Sequence, residues 1–426
     1  MTSEDQVANM AQSPRHDAAA APGHRSFRVA AISFLIIMVD GYDTLMIAFI
    51  APLLTDHWGL QPPEIGRIFA TGYVGAILGA LGIGTLADRF GRRPALIAAL
   101  LLAAAATILC AFAETVGTLM LLRFVAGIGL GGALPAVSAL TAEHAKPGRR
   151  SGTVTLMYLG FPMGAVVGGG LTALLLDHGW RSIFAYAGCA CLVAACLALA
   201  LPESFRRAGH DARRSPELRP KRGIAATVTE QFADGRLRPA LTLWLGLFCM
   251  LLLTYFLLSW TPSIIIAHGG SARLAALAGV VLNLGGITGA ILMTPAINRF
   301  GPYRPIALMV AIGAILVALI GQVPGSLSLT MVLLFGVGIC VMGGQLNVPA
   351  MAVDLFPPHV RGAGAGWTAG IGRIGSIVGP LVGGALIAAQ PATATLFLIA
   401  ALPATVAAAA FFAAARLRGS RRAGDG

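Results

Sequence analysis

Twelve apolar runs, each long enough to cross a bilayer, leave this 426-residue chain little choice of architecture. A hydrocarbon core of about 30 Å needs roughly 20 helical residues at 1.5 Å each. Runs of that length recur near 27–54, 64–87, 94–113, 117–141, 152–176, 182–201, 239–266, 274–297, 305–323, 327–351, 362–388 and 392–416. They predict an all-α membrane protein with twelve transmembrane helices. Hydrophobic residues make up 57% of the chain and charged residues 11%, where a soluble domain carries about 25% charged residues.

Basic residues outnumber acidic ones by 30 to 18, a net charge of +12. Their positions argue against a nucleic-acid partner. With the N-terminus in the cytosol, nearly all lie in cytosolic segments or at their edges. Arg67, Arg181 and Arg273 fall on the other side, and Arg123 and Arg373 lie inside spans. This asymmetry follows the positive-inside rule and places both termini in the cytosol. Lys146 and Lys221 are the only lysines. An Arg-, Ala- and Gly-rich composition of this kind suggests a GC-rich bacterial genome and an inner membrane.

The first 26 residues have no short apolar core followed by a cleavage site and read as a disordered cytosolic tail. The six cysteines lie within spans, without metal-type spacing beside His, and serve as small apolar fillers. Neither a metal nor a cofactor is expected.

Hydropathy collapses between Pro202 and Arg238, which predicts a cytosolic linker (202–238) between six-helix bundles at 27–201 and 239–416, with a short tail at 417–426. The second block echoes the first at an offset of about 210 residues, as the internal repeats of secondary transporters do. "ADRFGRRP" (87–94) matches "INRFGPYRP" (297–305), and "EHAKPGRR" (143–150) matches "DLFPPHVR" (354–361).

"GTLADRFGRRPAL" (84–96) resembles the signature between helices 2 and 3 of the major facilitator superfamily, and the degenerate copy falls after the eighth span. Gly84 and Gly91 permit close packing and a tight turn. Asp88, Arg89, Arg92 and Arg93 supply charge pairs for a cytosolic gate. Asn298 stands where the first copy has Asp88, so the second latch is expected to be weaker. Three stretches narrow the resemblance: "DGYDTLMIAFIAPLL" in the first span, "YFLLSWTPSII" (255–265) in the seventh and "GAGAGWTAGIGRIGSIVGPLVGG" (362–384) in the eleventh. Together they are similar to the aromatic acid:proton symporter family. That resemblance implies import of benzoate-type carboxylates with protons.

Asp40 and Asp43 sit near the middle of the first span. Each ionised acid at that depth costs about 2.5–3.5 kcal/mol on translocon-type scales. Three residues apart on a helix, they point about 60° from each other and share a face. Mutual repulsion and a low dielectric favour a proton on at least one of them. All eight histidines fall in loops or at span ends, so by elimination this pair is the candidate proton carrier.

Arg123 and Arg373 are permanently charged and each requires an anion. One can pair with Asp40 or Asp43, leaving the other to grip a substrate carboxylate by a bidentate fork. Arg373, deeper and within a family-like stretch, is the first choice; Arg123 is as readily structural. Trp260 and Tyr255 are candidates to stack on a ring. Gln345 and Asn283 are candidates to bond a ring hydroxyl.

The reading is a non-enzymatic, proton-coupled importer of a small aromatic carboxylate, for which a monomer in the lipid bilayer suffices. The alternatives are uptake of another small organic acid such as nicotinate, or proton-coupled drug export. An intramembrane aspartyl protease is disfavoured because both aspartates lie on one helix, whereas that chemistry needs acids facing each other across a shared water.

Overall fold

Apolar runs in a bilayer fold as helices because every backbone polar group must be satisfied within its own segment. The computed structural model describes residues 22–146, 150–202, 236–323, 325–356 and 361–424, and no strand occurs among them. The helices of the first half are α1 (Pro22–Trp58), α2 (Pro62–Phe90), α3 (Arg92–Cys110), α4 (Val116–His144), α5 (Arg150–Tyr158), α6 (Gly160–Leu175) and α7 (Gly179–Ala198). Those of the second half are α8 (Leu237–Ala267), α9 (Ala272–Phe300), α10 (Tyr303–Ile320), α11 (Leu327–Val337), α12 (Gly343–Leu355), α13 (Arg361–Ala388) and α14 (Thr393–Gly424). A 3₁₀ turn, Leu176–His178, separates α6 from α7, and a π turn, Gly338–Met342, joins α11 to α12.

Helix ends depart from the hydropathy boundaries. α1 starts at Pro22 instead of 27, and α14 continues to Gly424, past 416. Hydropathy stops where polar residues begin, but a helix continues into the headgroup layer when long basic side chains reach water. Most of the expected N-terminal tail and linker, residues 1–21 and 203–235, lies outside the described residues. Among the described residues, eleven helical stretches are long and apolar enough to cross a membrane. One of them, Gly152–Ala198, has 47 residues and is interrupted by the 3₁₀ turn and by Gly179 at φ +78°.

The packing scheme of the first half recurs in the second. α1 packs on α6, α2 on α4 and α3 on α7; correspondingly α8 packs on α13, α9 on the α11–α12 segment and α10 on α14. Small residues permit these crossings. A Cβ on Gly41 would overlap the Phe161 carbonyl, and one on Gly375 would overlap that of Phe248. The signature loop and its degenerate copy also share geometry: Gly91 (φ +102°) and Gly301 (φ +76°) make the two turns. Arg89 and Arg299 lie over Phe90 and Phe300 at 5.5 and 5.3 Å.

The molecule has two ends. The proximal end carries Pro22, the Gly91 and Gly301 turns and the end of α14; the distal end carries the turns near 59–61, 176–179, 268–271 and 389–392. Three distal helix starts are capped by hydroxyls: Thr115, Ser271 and Ser326 accept the backbone N–H of Thr118, Leu274 and Leu329.

Candidate functional site

The first-half charges form a closed buried network. Arg123 Nη1 donates to Asp43 Oδ2 at 3.1 Å, and Arg123 Nη2 donates to Thr107 Oγ1 at 2.7 Å. Thr107 Oγ1 in turn donates to Asp43 Oδ1 at 2.8 Å, and Arg123 Nε reaches Cys110 Sγ at 3.3 Å. The Phe184 ring lies 5.1 Å from the guanidinium carbon, a cation–π contact. α1, α3, α4 and α7 therefore meet around one cation. Asp43, Thr107 and Arg123 are 1%, 0% and 3% exposed. A buried pair persists only when its remaining donors and acceptors are also met, and here each carboxylate oxygen has its own donor.

Asp40, one turn earlier, has a different setting. It is half-buried, and the charges that act on it are those of Arg373 and Asp43. Arg373 on α13 is also half-buried and forms none of the ion pairs seen among the described residues. Tyr255 on α8 is under the influence of both Arg373 and Asp40. Its ring meets Tyr73 of α2 edge-on at 4.8 Å. Asp40, Arg373, Tyr255 and Tyr73 thus bring α1, α13, α8 and α2 to one place between the two halves.

Trp260 is 2% exposed. Its Nε1 donates to the Pro380 carbonyl at 3.0 Å, and its ring meets Phe69 at 5.9 Å. The indole is thereby built into the junction of α8, α13 and α2. Asn283 is fully buried; its Nδ2 donates to the Gly279 carbonyl at 2.8 Å, leaving Oδ1 without a partner. Gln345 is half-buried and its Oε1 is also unpartnered. Gly41 makes a helix crossing with α6.

Contacts between the halves lie toward the distal end. Gly66 packs on Pro380 and Gly384 on Pro62, while Phe49 of α1 lies between Gly169 and Gly279. Asp177 and Arg273 form an ion pair at 3.1 Å. At the proximal end the signature residues bond within the first half: Arg92 pairs with Glu143, and Arg93 donates to the Leu199 carbonyl. A Cβ on Gly84 would make ordinary contact with Pro135 at 3.7 Å, so this position does not require glycine for the close packing expected of it. The Asp88 side chain lies outside the described residues. Leu86, Phe90, Phe300 and Trp367 are exposed there. The Gly66, Gly384, Phe49 and Asp177 contacts between the two halves therefore lie distally.

Two repeated halves around a buried, charged seam match a known family along most of the chain: its model, described as Major Facilitator Superfamily, matches residues 33–348 and 267–425. The chain belongs to the Major Facilitator Superfamily. Within this superfamily it is 33% identical over 408 residues to the 4-hydroxybenzoate transporter PcaK of Pseudomonas aeruginosa, covering 90% of this chain and 91% of that protein. It is 35% identical over 418 residues to the gallate transporter of Pseudomonas putida, covering 92% of each. A bacterial homologue of the human lysosomal transporter Spinster, solved in an inward-facing and occupied conformation, has a TM-score of 0.72 at 19% identity, covering 93% of this chain and 98% of that one. That likeness concerns the fold.

Sequence reasoning missed Thr107, Cys110, Phe184 and Tyr73. Thr107 sits in "AAAATILC", where a single hydroxyl in an alanine-rich span carries no local signal. Its partners come from residues 64 positions before it and 16 after.

Proposed function

We propose that this chain imports a small aromatic carboxylate together with protons, by alternating access of two six-helix bundles. In this reading Gly152–Ala198 crosses the membrane twice, which makes twelve spans. A straight helix of 47 residues would reach about 70 Å, more than twice the hydrocarbon thickness. The positive-inside bias makes the proximal end cytosolic in a bacterial inner membrane; with the halves joined distally, this state is open to the cytosol. One copy of the chain suffices.

The observation that carries the reading is the unequal state of the two intramembrane arginines. Arg123 is bonded to Asp43, Thr107 and Cys110, whereas Arg373 forms no ion pair among the described residues and lies within the electrostatic reach of Asp40 and Tyr255. A free guanidinium at the seam is suited to a carboxylate by a two-point fork. Coupling follows from competition. When Asp40 is protonated, Arg373 is available to the substrate; when Asp40 releases its proton to the cytosol, its carboxylate reclaims Arg373 and expels the substrate. Tyr255 and Tyr73 flank the ring, and Gln345 Oε1 offers an acceptor to a ring hydroxyl. The names of the relatives, for 4-hydroxybenzoate and gallate, support the substrate class.

The test is uptake of labelled 4-hydroxybenzoate into proteoliposomes under an inward proton gradient. Wild type should accumulate it, and Arg373→Ala and Asp40→Asn should lose gradient-driven accumulation. Unlabelled nicotinate should compete poorly. Folded wild type that ignores aromatic acids, or Arg373→Ala that accumulates normally, would overturn the reading.

A further inference from the structure

The hydrogen bonds around Asp43 have a defined direction. Arg nitrogens only donate, so Thr107 Oγ1 accepts from Arg123 Nη2 at 2.7 Å. The single Thr107 proton is then directed to its other neighbour, Asp43 Oδ1, at 2.8 Å. Asp43 Oδ2 accepts from Arg123 Nη1 at 3.1 Å. Both oxygens of Asp43 are acceptors, each from its own donor, which is the pattern of a carboxylate. A proton on either oxygen would neutralise the acceptor and weaken both bonds, so protonation of Asp43 works against the hold of Thr107 and Arg123. Asp40 has Thr44 as a hydroxyl donor but no ion pair with an arginine among the described residues.

We infer that Thr107 is a positioning residue that holds Asp43 as the standing counter-anion of Arg123, so that Asp40 alone exchanges the transported proton in this conformation. The division of labour rests on the proposed proton coupling; the geometry of the hydroxyl does not. The groups facing Asp43 are Asp40 and Tyr42 on its own helix, Cys110 on α3, Arg123 on α4 and Cys191 on α7, with Arg373 of α13 acting through Asp40. Among these Arg123 is the cation bonded to Asp43. Arg123 is oriented by the Thr107 oxygen, the Cys110 sulfur and the Phe184 face. Losing the hydroxyl therefore removes one donor from Asp43 and one acceptor from Arg123, with little change in volume if Val replaces Thr.

The experiment reads protonation without needing transport. Infrared difference spectra of the purified protein across a pH series report the protonated-carboxyl stretch, and the component lost in Asp43→Asn belongs to Asp43. In wild type that component should be absent at neutral pH. In Thr107→Val it should appear at about tenfold lower proton concentration than wild type requires, as expected for loss of a charge-assisted hydrogen bond worth about one such factor. Thr107→Ser, which keeps the hydroxyl, should restore wild-type behaviour. Thr107→Ala removes the hydroxyl without overpacking and must give the same shift, which covers failure of the Val variant to fold. An Asp43 band that titrates alike in wild type and both hydroxyl-free variants, or one already present in wild type at neutral pH, overturns the inference. Proteoliposome uptake by the same preparations separates the two readings: wild type without proton-driven uptake refutes the transport proposal whatever the infrared result.

Discussion

Arg123 Nη1 lies 3.1 Å from Asp43 Oδ2, with the two side chains 3% and 1% exposed. Removing one member of such a pair leaves the other charge stranded, which typically costs about 3–5 kcal/mol. Arg123→Met should therefore be strongly destabilised. The double variant Arg123→Met with Asp43→Leu, in which no buried charge remains, should recover most of that loss. A double-mutant cycle on unfolding in mixed micelles checks this. Additive losses would mean that the two charges are not energetically paired.

Gly41 separates the two aspartates, and its role is geometric. A side chain there would run into the Phe161 backbone carbonyl where α1 crosses α6, so Gly41→Ala should cost about 1–3 kcal/mol through overpacking. Gly82 supplies the contrast, since a Cβ there meets nothing within 4 Å. Gly82→Ala should be neutral or gain up to about 1 kcal/mol from helix propensity. Thermal unfolding of the two variants side by side measures the difference; equal midpoints would remove the crossing from the account of why glycine stands at 41.

These two cases show where sequence is informative. The spans, the repeat and the intramembrane charges are visible because hydropathy and rare charged residues are local signals. Pairing is not local. Nothing in "MLLRFVAG" indicates that Arg123 takes Asp43 and leaves Asp40 to Arg373, because that choice depends on how α1, α3, α4 and α7 are rotated against each other. Trp260 is similar: "SWTP" flags an aromatic beside a proline. Only the fold places its N–H on the Pro380 carbonyl and its ring against Phe69. The Gly91 turn, by contrast, was legible, since φ +102° is a backbone state that favours glycine.

Asp177 and Arg273 join the two halves across the distal end while staying 76% and 66% exposed. An exposed pair of this kind contributes about 0.2–1 kcal/mol, enough to bias a conformational equilibrium by up to about fivefold. Arg273→Asp should increase the population with separated distal helix ends. The swapped pair, Asp177→Arg with Arg273→Asp, should return it to the wild-type level. Distances between spin labels on the distal ends of α2 and α13 report both. The effect should fade in 1 M salt, where the Debye length is about 3 Å. A distal opening that is unchanged by charge reversal would show that the packing of Gly66, Phe69 and Trp260 closes this end without help from the pair.

Proton stoichiometry follows from the unequal aspartates. If Asp43 stays paired with Arg123 and Asp40 alone exchanges, one monoanion enters with one proton and no net charge moves. Accumulation should then follow the pH difference and ignore an imposed membrane potential. If both aspartates exchange, one net positive charge enters per cycle and 100 mV adds about 2.3 kcal/mol, or roughly 50-fold in the accumulation ratio. Proteoliposomes clamped with a potassium gradient and valinomycin at fixed internal and external pH distinguish the two. A potential-independent ratio is the expected result, and a ratio that climbs with negative internal potential would place Asp43 among the groups that exchange protons during transport.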